Sequence, residues 1–162
     1  MLGIKAELAN MDVREAVLND VPQLVELRLQ LFAELGGLAS AELLPDLQEA
    51  TEVYFTHAFT TGLCKTWLAI ADEKVVAAGS MAIFHRLPYP GNLQGHEAYL
   101  LNMYTLPAYR GKLAATRILE QMQHYAKAEK FGKVWLHASI DGRNLYERFG
   151  FMQNQSVMEW SP

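Results

Sequence analysis

Apolar and polar positions alternate over residues 11–17, then change at Asn19-Asp20 to a rhythm in which Leu24, Leu27, Leu31 and Leu35 recur at helical spacing. The first stretch predicts a strand. The second predicts a helix with Asp20 as N-cap, Pro22 in its first turn and Gly36-Gly37 at its end. A second helix is expected after Pro45, carrying Leu47, Ala50, Val53, Tyr54 and Ala58 and closing at Gly62. Runs 66–71 and 75–84 read as strands, and Asp72-Glu73-Lys74 between them as a charged hairpin connection. Residues 85–96, with Pro88, Pro90, Gly91 and Gly95, predict a surface loop before a strand over 97–106. From 113 to 131 apolar residues fall at 114, 118, 119, 122, 125 and 126, the pattern of a helix lying on a sheet, with Gly132 as its cap. A strand at 134–138, a short helix at 142–149 stopped by Gly150, and closing strands at 151–152 and 157–160 complete the chain.

The order is therefore β-α-α-β-β-β-α-β-α-β-β. The strand, helix and strand around Arg110 form a βαβ crossover, so part of the sheet is parallel and the fold is mixed α/β, mostly antiparallel, with flanking helices. With 51% apolar and 20% charged positions over 162 residues, the chain suits one domain, 1–162, with its own core. A net charge of −4 provides no basic field for nucleic acid, so small basic or neutral partners are expected. The lone Cys64 precludes an intrachain disulfide, reads as a small apolar filler and fits a reducing cytoplasm. The opening Met1-Leu2-Gly3-Ile4-Lys5-Ala6-Glu7 lacks an apolar core and no 18-residue apolar run occurs, so neither a signal peptide nor a membrane span is expected.

The candidate chemistry lies in two runs. In the first, Leu101-Asn102-Met103-Tyr104-Thr105-Leu106 is a strand that turns through Pro107 and Gly111 into the long helix, putting backbone N–H groups at a helix N-terminus where phosphate binds. Arg110 and Lys112 add charge. The dipole alone contributes roughly 0.3–2 kcal/mol, so individual hydrogen bonds must supply the rest. In the second, Tyr146-Glu147-Arg148-Phe149-Gly150-Phe151 presents a tyrosine hydroxyl from a short helix. Together they point to a phosphate-bearing cofactor beside an acid, hence acyl transfer. The same residues also suit an ordinary strand-to-helix turn and a core tyrosine.

The C-terminal half resembles the GNAT superfamily of acyl-CoA-dependent N-acyltransferases. Arg110-Gly111-Lys112-Leu113-Ala114-Ala115 matches the signature Gln/Arg-x-x-Gly-x-Gly/Ala at Arg110 and Ala115, but Leu113 stands where the family usually has glycine. A leucine there either narrows the approach of a pyrophosphate or turns into the core and leaves the amide free. Gly142-Arg143-Asn144-Leu145-Tyr146-Glu147-Arg148-Phe149-Gly150-Phe151 resembles the family's last helix and its Leu-Tyr-x-x-x-Gly-Phe ending. The resemblance spans about 97–152 and is topological before that.

It implies acetyl-CoA as cosubstrate and no metal. Arg110, Gly111, Lys112, Leu113, Ala114, Ala115 and Thr116 would hold the pyrophosphate, and the backbone of Met103, Tyr104 and Thr105 on a splayed strand would hold the pantetheine arm. The family often has asparagine just after the fifth strand, where this chain has Ser139. Tyr146 matches the general acid of the family. A phenol near pKa 10 can protonate a thiolate whose acid lies near 8.5, worth roughly 10²–10⁴ in rate.

The attacking amine must lose a proton, and Glu97, which period two puts on one strand face with Tyr99, Leu101 and Met103, is read either as the base or as a solvated glutamate at a strand edge. The family's glutamate position falls at Tyr99, so Glu97 would reach through water. His85, His96 and His137 are further bases, though lone histidines are usually structural; His57 and His124 are expected to face solvent on helices. The implied activity is transfer of acetyl to a primary amine of a small molecule or peptide by direct attack in a ternary complex, the alternative being a non-catalytic acyl-CoA-binding regulatory domain. The acceptor would be chosen by residues 32–44 and 85–96, with Phe32, Phe84 and Tyr89 lining an apolar slot and Glu34, Glu42 and Asp46 attracting a cation. A homodimer is also expected.

Overall fold

The structure, a computed structural model, describes residues 11–36 and 44–162. Expectations on residues 1–10 and 37–43, including Gly37 and Glu42, lie outside the described residues. The chain runs β1 (Asp12–Glu15), α1 (Val21–Glu34), α2 (Leu44–Thr61), β2 (Cys64–Ala71), β3 (Lys74–His85), β4 (His96–Thr105), α3 (Ala114–Ala128), β5 (Lys133–Leu136) and α4 (Arg143–Arg148). Short 3₁₀ turns precede α1 and α3. The five strands lie in the order β1-β2-β3-β4-β5, antiparallel except for the parallel pair β4 and β5 around the α3 crossover.

Each face of the sheet carries a core. Under α3 lie Met81, Ala98 and Leu100 with Ile118, Leu119 and Met122; under α1 and α2 lie Leu24, Leu27, Phe55, Ala58, Leu68 and Tyr104. Fully burying an Ile or Leu contributes about 1.5–3 kcal/mol, so the fully enclosed Ile118 and Leu119 fix α3 on the sheet. The buried face of α2 is Thr51, Phe55 and Ala58, whereas the expected Val53 is 62% exposed. Asp20 occupies the cap position of α1 but makes no cap bond. Its carboxylate instead accepts both guanidinium nitrogens of Arg14, at 2.7 and 2.8 Å, and the Val17 amide at 2.8 Å. Likewise α3 ends through Lys130 at φ 54°, before the expected Gly132.

The closing strands do not form. Residues 151–162 have no strand pairing, Met152, Met158 and Trp160 are 85–95% exposed, and among the described residues the outer edge of β5 is unpaired. Apolar residues there suggested strands, but a strand needs a neighbour to take its ladder bonds.

At the centre, β4 has a bulge. Ser80 pairs with Leu101 and Ala78 with Tyr104, so Asn102 and Met103 together face Gly79, and Asn102 takes φ 58°. A Cβ on Gly79 would lie 2.8–2.9 Å from side-chain atoms of Ile118, Met103 and Met122, so glycine lets α3 settle closely over the bulge. Gly79→Val is expected to cost about 1–3 kcal/mol by overpacking, read as a lower urea midpoint with the denaturant slope unchanged.

Candidate functional site

The bulge corrects the expected strand face. Ala98 and Leu100 point toward α3 and Glu97 and Tyr99 away from it, but Met103 crosses to the α3 core and Tyr104 packs under α1. The β4–β5 ladder stops at Leu100 and Leu136, so Leu101, Asn102, Met103, Tyr104 and Thr105 have no strand on that side. β5 itself ends here, so the far half of β4 faces an opening, the V, in place of a strand.

At the start of α3 the first ladder bond is Arg117 N–H to the Leu113 carbonyl, 2.9 Å, and no side chain caps the end. The amides of Ala114, Ala115 and Thr116 precede that ladder as donors. Gly111 and Leu113 take φ 75° and 65°. Leu113 thus adopts the left-handed form that glycine takes freely, and its side chain, 46% exposed, points outward rather than into the core.

The Arg110 side chain is already engaged. Its Nη2 meets Glu34 Oε2 at 2.5 Å and its Nε donates to the Thr105 carbonyl at 3.0 Å. Tyr104 Oη donates to Glu34 Oε1 at 2.5 Å. These bonds from Tyr104 and then Arg110 hold the Glu34 carboxyl below its ordinary value, while burial, then Glu34, pushes Tyr104 up to about 12. The Arg110 charge is therefore held against a protein carboxylate.

Tyr146, on α4, stacks edge-on against Phe151 with centroids 5.8 Å apart. Gly142 admits its ring, since a Cβ there would lie 3.2 Å from Cε2. Burial first, then the neighbouring Tyr99, pushes the phenol above its usual pKa, so it stays protonated at neutral pH. Ser139 shapes the turn into α4, its Oγ accepting from the Gly142 amide at 3.1 Å and its carbonyl from the Arg143 amide at 3.1 Å.

Glu97 is fully buried. It accepts from Tyr89 Oη at 2.8 Å and from Arg86 Nη1 at 3.4 Å. Both oxygens thus clamp the 86–95 loop, and no exposed oxygen is left for water to reach. The loop is tied again by Arg86 N–H to the Gly95 carbonyl, 2.8 Å, an approach only glycine permits because a Cβ on Gly95 would meet that region at 1.9 Å from Arg86 O. The placement argues against Glu97 as the base.

The sequence reading missed a polar chain beside Tyr99. Tyr99 Oη lies 2.7 Å from His137 Nδ1, and His137 Nε2 lies 2.9 Å from Glu159 Oε1. Trp135 packs on Tyr99 with centroids 4.7 Å apart, and Phe84 on Trp135 at 6.4 Å. A cavity of about 1000 Å³ runs along β5, walled by Met122, Phe131, Trp135, Leu136, Phe149 and Val157. His137 and Tyr146 line it, but none of Arg110 to Thr116 does. The cavity is the space beside the unpaired β5 edge, distinct from the α3 turn.

The model of the acetyltransferase (GNAT) family matches residues 30–151. The chain belongs to this family. The uncharacterized N-acetyltransferase YjgM of Escherichia coli (strain K12) is 28% identical over an alignment of 149 residues, with 86% of this chain and 80% of that protein covered. A predicted acetyltransferase from Clostridium acetobutylicum, whose crystal structure contains acetyl-CoA, superposes with TM-score 0.82 at 28% identity, covering 93% of this chain and 96% of the other. A GCN5-related N-acetyltransferase from Ralstonia eutropha JMP134 superposes with TM-score 0.81 at 20% identity, covering 93% and 98%. The GNAT fold is thus present from β1 to α4, with the expected mixed sheet.

Two outcomes check this geometry. Leu113→Gly relieves left-handed strain of about 1 kcal/mol, raising Tm by roughly 2–4 °C, whereas Leu113→Val lowers it. Because the folded Glu34 pKa is depressed, its tie contributes above the ordinary glutamate value of 4.5 and is lost as pH falls through the folded value. Glu34→Gln is therefore expected to show a smaller fall in Tm than the parent on acidification from neutral pH.

Proposed function

We propose that the chain transfers acetyl from acetyl-CoA to a primary amine of a small molecule or peptide, by direct attack in a ternary complex. The observation that carries this reading is the V beyond Leu100 and Leu136, which opens strand backbone next to the uncapped amides of α3. Those groups fit the cosubstrate: the amides of Gly111, Leu113, Ala114, Ala115 and Thr116 suit a pyrophosphate, with the Lys112 ammonium and the Arg110 backbone beside them. The backbone of Met103, Tyr104 and Thr105 suits the amide-bearing pantetheine arm as a further strand would. Acetyl-CoA supplies the activated acetyl group. Support also comes from the acetyl-CoA held by the Clostridium acetobutylicum relative.

In this reading Tyr146 protonates the departing thiolate, a task suited to a phenol kept neutral by burial. Glu97 serves by fixing the 86–95 loop on the acceptor side. The aromatic walls Phe84, Tyr99 and Trp135 suit an amine whose ammonium rests on ring faces before reaction. We place the protein in the cytoplasm, where the buried Cys64 thiol, pushed up by desolvation, stays reduced and inert. Among the described residues no helix is long and apolar enough to cross a membrane. A homodimer is supported by the unpaired β5 edge beside the exposed Met152, Val157, Met158 and Trp160.

The second reading, acyl-CoA binding without turnover, is favoured by Leu113 in the signature and by the enclosure of Glu97. Calorimetric titration with acetyl-CoA, followed by thiol release across a primary-amine panel, separates the two. Binding with amine-dependent thiol release supports the transferase; binding with none supports the regulatory domain. For the transferase, Tyr146→Phe is expected to lower kcat roughly 10²–10⁴-fold with acetyl-CoA affinity unchanged. Unchanged turnover at saturating amine would remove Tyr146 from the chemistry.

A further inference from the structure

We infer that Tyr99, His137 and Glu159 form a proton path in which Tyr99 contacts the attacking amine and His137 stores its proton, an inference that rests on the acetyl-transfer reading. A primary amine is mostly an ammonium at neutral pH, with pKa near 10, and only the neutral form attacks. The proton must leave on the face of β4 turned away from α3, near the mouth of the V. Glu97 is enclosed on that face. His85 and His96 lie at the far end of the hairpin, stacked on each other at 4.8 Å, with His96 on Phe131 at 4.0 Å. His57 and His124 sit on the outer faces of their helices. His137 follows the last residue of β5, where the strands part.

The hydrogen bonds fix a direction. An ionised Glu159 can only accept, so His137 Nε2 carries the proton and donates it to Oε1 at 2.9 Å. His137 Nδ1 is then an acceptor, and Tyr99 Oη donates to it at 2.7 Å. This leaves lone pairs on the Tyr99 oxygen for an amine N–H. Trp135 and Phe84 line the approach with ring faces on which the ammonium rests before it gives its proton to Tyr99. The titratable groups around His137 are Tyr99 on β4, Glu159 on the C-terminal segment, and Lys127, Lys130, Lys133, Arg143, Tyr146 and Glu147 around the shared cavity.

The step balances. The ammonium gives one proton to Tyr99 Oη while the Tyr99 proton passes to His137 Nδ1, producing an imidazolium held by Glu159. The nitrogen lone pair forms the C–N bond, the C–S bond breaks, and the sulfur pair takes the Tyr146 proton. The second amine proton restores Tyr146, and the half-exposed His137 releases its proton to water.

The test compares the parent with His137→Gln, Tyr99→Phe and Glu159→Gln, using one primary amine that the parent acetylates. It reads kcat/KM against pH together with acetyl-CoA affinity and Tm. Expected for His137→Gln is a fall of roughly 10²-fold at neutral pH. Its acid limb should move up to the ionisation of the amine itself, with acetyl-CoA affinity unchanged. Tyr99→Phe should behave alike, and Glu159→Gln, which removes the acceptor that holds the imidazolium, should lower kcat/KM at neutral pH with acetyl-CoA affinity unchanged. If the His137→Gln profile keeps the parent's acid limb, the path is wrong even though acetyl transfer stands. Should His137→Gln fail to fold, an unchanged kcat/KM in Glu159→Gln decides against it. Acetyl-CoA binding by the parent without thiol release from any amine overturns the transferase reading and this inference together.

Discussion

The structure depends on β4 serving two unequal neighbours. It is paired with β3 along nearly its whole length but with β5 for only four residues. The extra residue at the bulge bends the strand where the second ladder ends. Three packing events meet there. Gly79 gives α3 room to approach, Met103 turns into the α3 core, and the Asn102 amide oxygen accepts from Arg28 of α1 at 3.3 Å. The bend and the seating of both helices are thus one arrangement, and the V is its open side.

A second tie holds the ends of that arrangement in register. Glu34, at the end of α1, accepts from Tyr104 on β4 and Arg110 before α3. One exposed carboxylate thereby links three elements, and Arg110 also reaches back to the Thr105 carbonyl. Surface ion pairs usually contribute little. This one acts through geometry, since it fixes the turn whose amides precede the α3 ladder. The same bonds explain why a residue expected to neutralise a phosphate carries its charge against a protein carboxylate instead.

Much of the fold was legible because period and punctuation agreed. The apolar residues at 114, 118, 119 and 122 became the buried stripe of α3, and the Asp72-Glu73 connection became a tight hairpin with both residues at positive φ. What failed depended on contacts distant in sequence. Asp20 looked like a cap, but Arg14 and the Val17 amide claimed its carboxylate. Period two carried straight through 97–103 passes over the adjacent Leu100 and Leu101, so the bulge left two signals, that break in alternation and an asparagine that tolerates left-handed backbone. The segment 157–160 has strand-like composition without a strand to pair with. His137 read as isolated because its partners come from β4 and from the C-terminal segment.

The polar residues on one face of β4 explain why the bulge matters for chemistry. Without it, strict alternation would put Met103 on the same face as Glu97, Tyr99 and Leu101, and Tyr104 would turn toward α3. With it, Glu97, Tyr99 and Tyr104 share that face, each bound to a different element: the 86–95 loop, the end of β5 and the end of α1. A strand buried on both sides can carry such groups only where each finds a partner. Glu97 and Tyr104 are satisfied by groups that position structure. Tyr99 is satisfied by an imidazole that can itself accept a proton. Of the three, it alone combines a place at the opening of the strands with a partner whose second ring nitrogen lies against a carboxylate.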